Sequence, residues 1–231
     1  MGKTTEVGQN IEQLINELFN LGKLPAKGLS VETVLFRVQS AKHDTANRFH
    51  APNELEKLGR YNDPLFEKWV WYGAELPTGA LAEIFGRLQA SRGRGLGIVL
   101  NQAELNSYSM CEVEVLKPLK LLDLKLLLTK LQRTLDEITG SSYALTHEIV
   151  RVVSRLPGRP FDGIAYESRH YSDGRMCYAL WTDPDELPLV SEGKIVNLCS
   201  YVYAGELATA YSGSDIDAEE MLTEILGYKV T

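Results

Sequence analysis

Trp69-Val70-Trp71-Tyr72-Gly73-Ala74-Glu75, followed by Leu76-Pro77-Thr78-Gly79-Ala80-Leu81-Ala82-Glu83-Ile84-Phe85-Gly86, passes from an aromatic run to a helical repeat with almost no connection. The aromatic run reads as a strand with Tyr72 at its end. Thr78 opens a helix that carries Leu81, Ile84, Phe85 and Leu88 inward and ends before Gly93-Arg94-Gly95. At about 100° per residue, Glu83 lies opposite Leu81, Phe85 and Leu88 and shares its face with Gly79 and Gly86. Two glycines beside a carboxylate admit a ligand or another backbone at close range, and a carboxylate there suits a sugar ring that develops positive charge. A glutamate opposite an apolar stripe is equally an ordinary solvated residue.

Upstream, Val34-Leu35-Phe36 leads into Arg37 on another strand, with Arg37 on the face opposite Phe36 and Val38. Nearer the start, Ile11, Leu14, Ile15, Leu18 and Phe19 predict a helix opened by Asn10, with Gln13 as capping-box partner, and stopped by Gly22-Lys23. Downstream, Gly97-Ile98-Val99-Leu100 and Met110 to Leu116 read as strands, the second alternating apolar and charged residues. Asp123 caps a helix with the stripe Leu124, Leu127, Leu128, Leu131, Leu135 and Ile138, an ordinary core face, ended by Gly140. Ser142 or Thr146 opens the next helix through Ile149, Val150 and Val153, which Pro157 and Pro160 close ahead of a strand at Ile164. Met176 to Trp181 and Val196 to Tyr203 read as strands, and Asp217 with Glu220 as box partner introduces a last helix. This irregular alternation lacks both the βαβ rhythm and a Gly-x-Gly-x-x-Gly turn, so the class is α+β in a single domain.

Composition narrows the function. The 231 residues carry a formal charge of −7 and 44% hydrophobic residues, which suits a packed domain and argues against a protein devoted to holding a phosphate backbone. Cys111, Cys177 and Cys199 show neither even count nor metal-ligand spacing, which favours a reducing, cytoplasmic setting. Gly2-Lys3-Thr4 lacks the glycine-rich loop and preceding strand of a P-loop, and the first residues have no apolar signal core. No run of 18 apolar residues exists to span a membrane. The histidines His43, His50, His147 and His170 fit hydrogen-bonded structural roles and no metal pattern.

The residues left over suit an anionic ligand. Arg37 on its strand and Arg60 in the turn-forming Gly59-Arg60-Tyr61-Asn62-Asp63-Pro64 can grip a diphosphate bidentately, or can pair with acidic neighbours. Arg48 is a rival for the second arginine. The Tyr72 phenol can stack on a ring, hydrogen-bond a ribose hydroxyl or belong to the core. Ser168 lacks a Gly-x-Ser-x-Gly elbow, so ligand binding or strand termination fits it better than nucleophilic attack.

Together, Phe36-Arg37-Val38, Phe49-His50-Ala51-Pro52, Gly59-Arg60-Tyr61-Asn62, Trp71-Tyr72-Gly73-Ala74-Glu75, Thr78 to Glu83, Leu121-Leu122-Asp123-Leu124 and Phe161 to Ser168 resemble the RES domain family. That family is named for its arginine, glutamate and serine, and some members act as toxins of bacterial toxin–antitoxin pairs. The resemblance covers approximately residues 31–182, leaving 1–30 as a helical extension and 183–231 as a C-terminal extension packed on the same domain.

The resemblance implies a fold like that of ADP-ribosyltransferases, with a split β-sheet and surrounding helices forming a cleft for NAD. It also implies degradation of NAD by phosphorolysis or hydrolysis, so NAD is substrate rather than resident cofactor and inorganic phosphate is a co-substrate. Carried onto this chain, Arg37 and Arg60 bind phosphates, with Tyr61 in the same substrate-binding set. Tyr72 and Glu83 surround the nicotinamide ribose, Ser168 lines the nicotinamide end, and Glu83, Arg37 and Tyr72 form the catalytic group. A helix-turn-helix antitoxin of the Xre type is the implied partner. No membrane or direct nucleic-acid partner is expected, and symmetry favours a homodimer.

One departure stands out: Asp63-Pro64-Leu65-Phe66 follows Asn62 where the family pattern has a glycine, so the Arg60 loop is expected to be reshaped. An ADP-ribosyltransferase acting on a protein or nucleotide, and a catalytically silent interaction module, fit the same residues.

Overall fold

Period-two patterning on the strands and period-3.6 patterning on the helices produce a computed structural model that describes residues 3–50, 52–92, 98–140, 142–171, 173–207 and 215–231, without the side chains of 3–10 and 88–92. In chain order the elements are α1 (Lys3–Asn20), β1 (Ala26–Leu29), β2 (Val34–Ser40), β3 (Trp69–Ala74), α2 (Pro77–Arg92), β4 (Val99–Leu100), α3 (Gln102–Asn106), β5 (Tyr108–Glu114), β6 (Leu119–Asp123), α4 (Leu124–Lys130), α5 (Asp136–Thr139), α6 (Ala144–Val153), β7 (Gly163–Glu167), β8 (Met176–Thr182), β9 (Lys194–Asn197), β10 (Val202–Tyr203), β11 (Ile216–Asp217), α7 (Ala218–Glu220) and β12 (Lys229–Val230).

Eight strands form one mixed sheet in the order β1-β6-β7-β8-β3-β2-β5-β9, antiparallel except where β6 and β7 run parallel. Its edge strands come from outside residues 31–182, β1 from the N-terminal segment and β9 from the C-terminal one. On β2, Leu35 packs on one face with Trp71, Cys111 and Tyr178, while Phe36 and Val38 pack on the other with Val70, Leu81 and Phe85. Helix α2 covers that second face, against β2, β3 and β8. Leu81 and Phe85 are fully buried there, and each such side chain contributes about 1.5–3 kcal/mol.

The sheet parts in the middle. β2 pairs with β5 from Val34↔Glu114 to Ser40↔Tyr108, and β3 pairs with β8 from Trp69↔Thr182 to Ala74↔Cys177. Among the described residues β2 and β3 meet at the single pair Phe36↔Ala74. Beside that junction a Cβ on Gly73 would stand 2.2 Å from the Trp71 indole, so the residue next to the split has to be glycine.

Several sequence expectations require correction. Helix α1 starts at Lys3, so Asn10 lies inside it, and Gln13 donates to Glu17 instead of closing a box. The leucine stripe from Leu124 to Ile138 is two helices, because Gln132 adopts a left-handed φ of 54° while Arg133 N–H donates back to the Leu128 carbonyl. Helix α6 opens at Tyr143 without a side-chain cap; the Thr146 hydroxyl turns back to the Tyr143 carbonyl, and Ser142 accepts from the Ala144 N–H at 3.4 Å. A 3-10 turn at Leu198–Ser200 splits the expected Val196 to Tyr203 strand. The Asp123 cap and the Asp217–Glu220 capping box form as read. The Leu88 side chain and residues 93–97 lie outside the description.

Candidate active site

Glu83 sits mid-way along α2 with its side chain 19% exposed, and both carboxylate oxygens have partners. Oε1 accepts from Ser168 Oγ at 2.7 Å, and Arg87 Nη2, one turn along the helix, stands 3.7 Å from Oε2. The solvated reading of Glu83 therefore fails, since the helix face opposite Leu81 and Phe85 is covered as well. Its glycines admit protein groups: a Cβ on Gly86 would stand 2.4 Å from the His170 ring, and one on Gly79 would stand 3.1 Å from Ala74 Cβ.

The loop that carries Arg60 is built around Tyr72. The phenol donates to Asn62 Oδ1 at 2.9 Å and accepts from the Tyr61 N–H at 3.0 Å, while Asn62 Oδ1 also accepts from the Gly59 N–H. Gly59 is required here, because a Cβ would stand 2.7 Å from Asn62 Oδ1 and 2.8 Å from the Tyr72 hydroxyl. Burial raises the Tyr72 pKa well above the usual range, which keeps the phenol protonated and able to donate. Tyr61 is buried, its ring 4.4 Å from that of Tyr166.

Arg60 is buried to 7% exposure. Its guanidinium lies 4.6 Å over the Tyr143 ring, Nη2 donates to the Gly140 carbonyl at 3.3 Å, and buried Nη1 has no partner among the described residues. Burial is the largest influence on it and lowers its pKa. A buried N–H of a cation left unpaired is costly unless a ligand completes it.

The rest of the loop is fastened by Asp63, whose side chain is fully buried. Its carboxylate accepts from both terminal nitrogens of Arg155, at 3.0 and 2.8 Å, and from the N–H groups of Leu65, Glu67 and Lys68. Within this loop Phe66 takes a left-handed φ of 61°.

Arg37 is half-buried at the split. Nη1 donates to the Arg48 carbonyl at 2.9 Å and the guanidinium lies 5.7 Å over the Trp71 ring. Desolvation is the main influence on its pKa and lowers it. The Arg48 side chain itself lines a separate cleft with Asn47, His50, Trp69 and Asp183.

Two cavities converge on Glu83. One of about 830 Å³, measured out to its mouth, is bordered by Arg60, Tyr61, Tyr143, Ser168 and Arg169. The other, of about 640 Å³, is bordered by Phe36, Arg37, Tyr72 and Ile84. Glu83, Arg87 and Tyr166 belong to both. The structure thus gathers Glu83, Arg60, Tyr61 and Ser168 around one cavity and Glu83, Arg37 and Tyr72 around the other. Sequence reading passes over Arg87, Tyr143, Tyr166 and Arg169. Arg87 had a signal, since its i+4 spacing from Glu83 places the two side chains together.

Comparison with known proteins adds three findings. A family model described as the RES domain matches residues 34–198. No curated protein matches the sequence. One chain of the crystal structure of the M. tuberculosis MbcT-MbcA toxin-antitoxin complex shares the fold, at a TM-score of 0.56 and 16% identity over 82% of this chain and 92% of that one.

Proposed function

The chain belongs to the RES domain family, and on that premise we propose that it degrades NAD by cleaving the bond between nicotinamide and ribose, with inorganic phosphate or water as acceptor. The observation that carries this reading is the position of Glu83: a carboxylate fixed by Ser168 stands where two cavities meet, with Arg60 on one side and Arg37 on the other.

In the proposed reaction the C–N bond lengthens and its electron pair stays on the ring nitrogen, so the pyridinium leaves as neutral nicotinamide without needing a proton. Positive charge moves to the ribose, where the Glu83 carboxylate stabilises it electrostatically. A phosphate or water oxygen then bonds to the anomeric carbon, and with water one proton is released. One carboxylate suffices where glycosidases use a pair, because the leaving group already carries positive charge. Arg60 Nη1, buried and without a partner among the described residues, supports a role as an anion donor, and the two hydrogen bonds of Tyr72, donated to the Asn62 side chain and accepted from the Tyr61 backbone, support a role in holding that arginine's loop.

We further propose that the chain is the toxin of a type II pair, neutralised by a helix-turn-helix antitoxin in the cytoplasm. The likeness in fold to a chain of a toxin-antitoxin complex supports this reading. Incubating the purified chain with NAD, with and without inorganic phosphate, and weighing the products tests the chemistry. ADP-ribose-1″-phosphate formed with phosphate marks a phosphorylase and plain ADP-ribose a hydrolase. ADP-ribose attached to an added protein or nucleotide marks a transferase, and no nicotinamide release overturns the assignment.

A further inference from the structure

Beyond Ser168 the chain continues to a histidine that the proposed reaction does not use. The His170 ring rests on Gly86 of α2, where a Cβ would stand 2.4 Å from its Cγ and 2.5 Å from its Nδ1. Its backbone N–H donates to Ser168 Oγ at 3.2 Å, and its Nε2 accepts from Arg169 Nε at 3.0 Å. Arg169 also donates from Nη1 to the Thr139 carbonyl at 2.6 Å, so two of its nitrogens are fixed although the residue is exposed. Arg169 borders the same cavity as Arg60 and Arg87.

A ring nitrogen that accepts a hydrogen bond carries no proton, so His170 is neutral here with its proton on Nδ1. The charged groups facing it are Glu83 and Arg87 from α2, Arg60 from the loop and neighbouring Arg169. Burial lowers its pKa most, Glu83 opposes this, and the three arginines add to the lowering. An arginine held by two bonds before ligand arrives does not have to be ordered on binding, which is the general gain of pre-organisation.

We infer that His170 is a positioning residue: seated on Gly86, it holds Arg169 at the cavity rim as a third arginine, with Arg60 and Arg87, of a face that binds the diphosphate of a dinucleotide. The inference rests on the reading of this cavity as a nucleotide site.

A double-mutant cycle tests it, with ADP binding followed by calorimetry and NAD turnover by nicotinamide release. His170→Phe keeps a ring in the Gly86 niche and removes the acceptor; Arg169→Gln, at an exposed position, removes the cation without touching the niche. Each single change weakens ADP binding and raises the KM for NAD about 10-fold with kcat nearly unchanged, and the double variant is no worse than Arg169→Gln. His170→Asn, which restores an acceptor, recovers part of the loss. Additive losses, unaltered ADP binding in Arg169→Gln, or a fall in kcat at constant KM would overturn the inference. A wild-type chain that binds ADP and shows the cycle yet cleaves no NAD would remove the proposed reaction and leave this inference standing. A wild-type chain that binds no ADP would remove the inference.

Discussion

Ser168 Oγ donates to Glu83 Oε1 across 2.7 Å, joining the residue after β7 to the middle of α2. A hydroxyl bonded to a carboxylate is a charge-assisted contact. With Arg87 near the other oxygen, the plane of the Glu83 carboxylate is fixed from two sides.

Ser168→Ala removes that contact and leaves the His170 N–H without its acceptor. Hydrogen bonds to charged groups contribute about 1.5–3 kcal/mol. The expected result is a fall in kcat of roughly 10- to 100-fold with little change in KM, measured by nicotinamide release from protein whose folding is checked by circular dichroism.

Arg60 separates stability from activity. Its buried Nη1 lacks a partner among the described residues, so Arg60→Met relieves a desolvation cost while removing the proposed anion donor. Thermal melting should show stability equal to wild type or up to about 1 kcal/mol higher, while NAD turnover falls at least tenfold. A variant that is both destabilised and fully active would contradict the role given to this arginine.

Tyr72→Phe retains the ring and deletes the hydroxyl that serves Asn62 and the Tyr61 N–H. Leaving that buried backbone donor unpaired costs about 1–3 kcal/mol. Denaturant unfolding should report the loss, and KM for NAD should rise because the Arg60 loop loses its tether. Unchanged stability would mean that the loop is held by Asp63 alone.

Asp63 gives stability a defined pH dependence. Desolvation raises its pKa, but the Arg155 bonds and the backbone N–H groups outweigh this and hold it below the usual carboxylate value. A depressed folded-state pKa contributes stability that is complete above the unfolded value of about 3.9 and disappears as pH falls through the folded value. Asp63→Asn, which leaves Arg155 uncompensated, should cost about 3 kcal/mol at pH 7. The gap between wild type and variant should close as unfolding is repeated at successively lower pH below about 4.

How legible this molecule is in its sequence depends on the range of the interaction. The Asp123 cap and the Asp217–Glu220 box are local and form as read. The break at Gln132 is not, because its left-handed turn uses no glycine. Period two places Arg37 opposite Phe36 and Val38 but says nothing of the parting between β2 and β3, which depends on pairing partners far apart in the chain. Arg37, Arg60, Tyr61, Tyr72, Glu83 and Ser168 stand out as residue types, and each borders at least one of the two cavities. What no periodicity carries is which side chains meet: the Ser168–Glu83 bond, the Tyr72 tether and the His170 ring on Gly86 each cross between distant segments. Glu83 itself reads as solvated on a helical wheel because both faces of α2 are covered, a tertiary fact.

In the proposed reaction Glu83 stabilises charge on the ribose, and Glu83→Gln removes that charge while keeping the shape. The decisive measurement is single-turnover nicotinamide release by the variant beside wild type, with NAD binding measured separately. NAD should still bind while release slows by about 10²- to 10³-fold, the scale of losing one electrostatic stabiliser. Release at a near-wild-type rate from folded Glu83→Gln protein would contradict it.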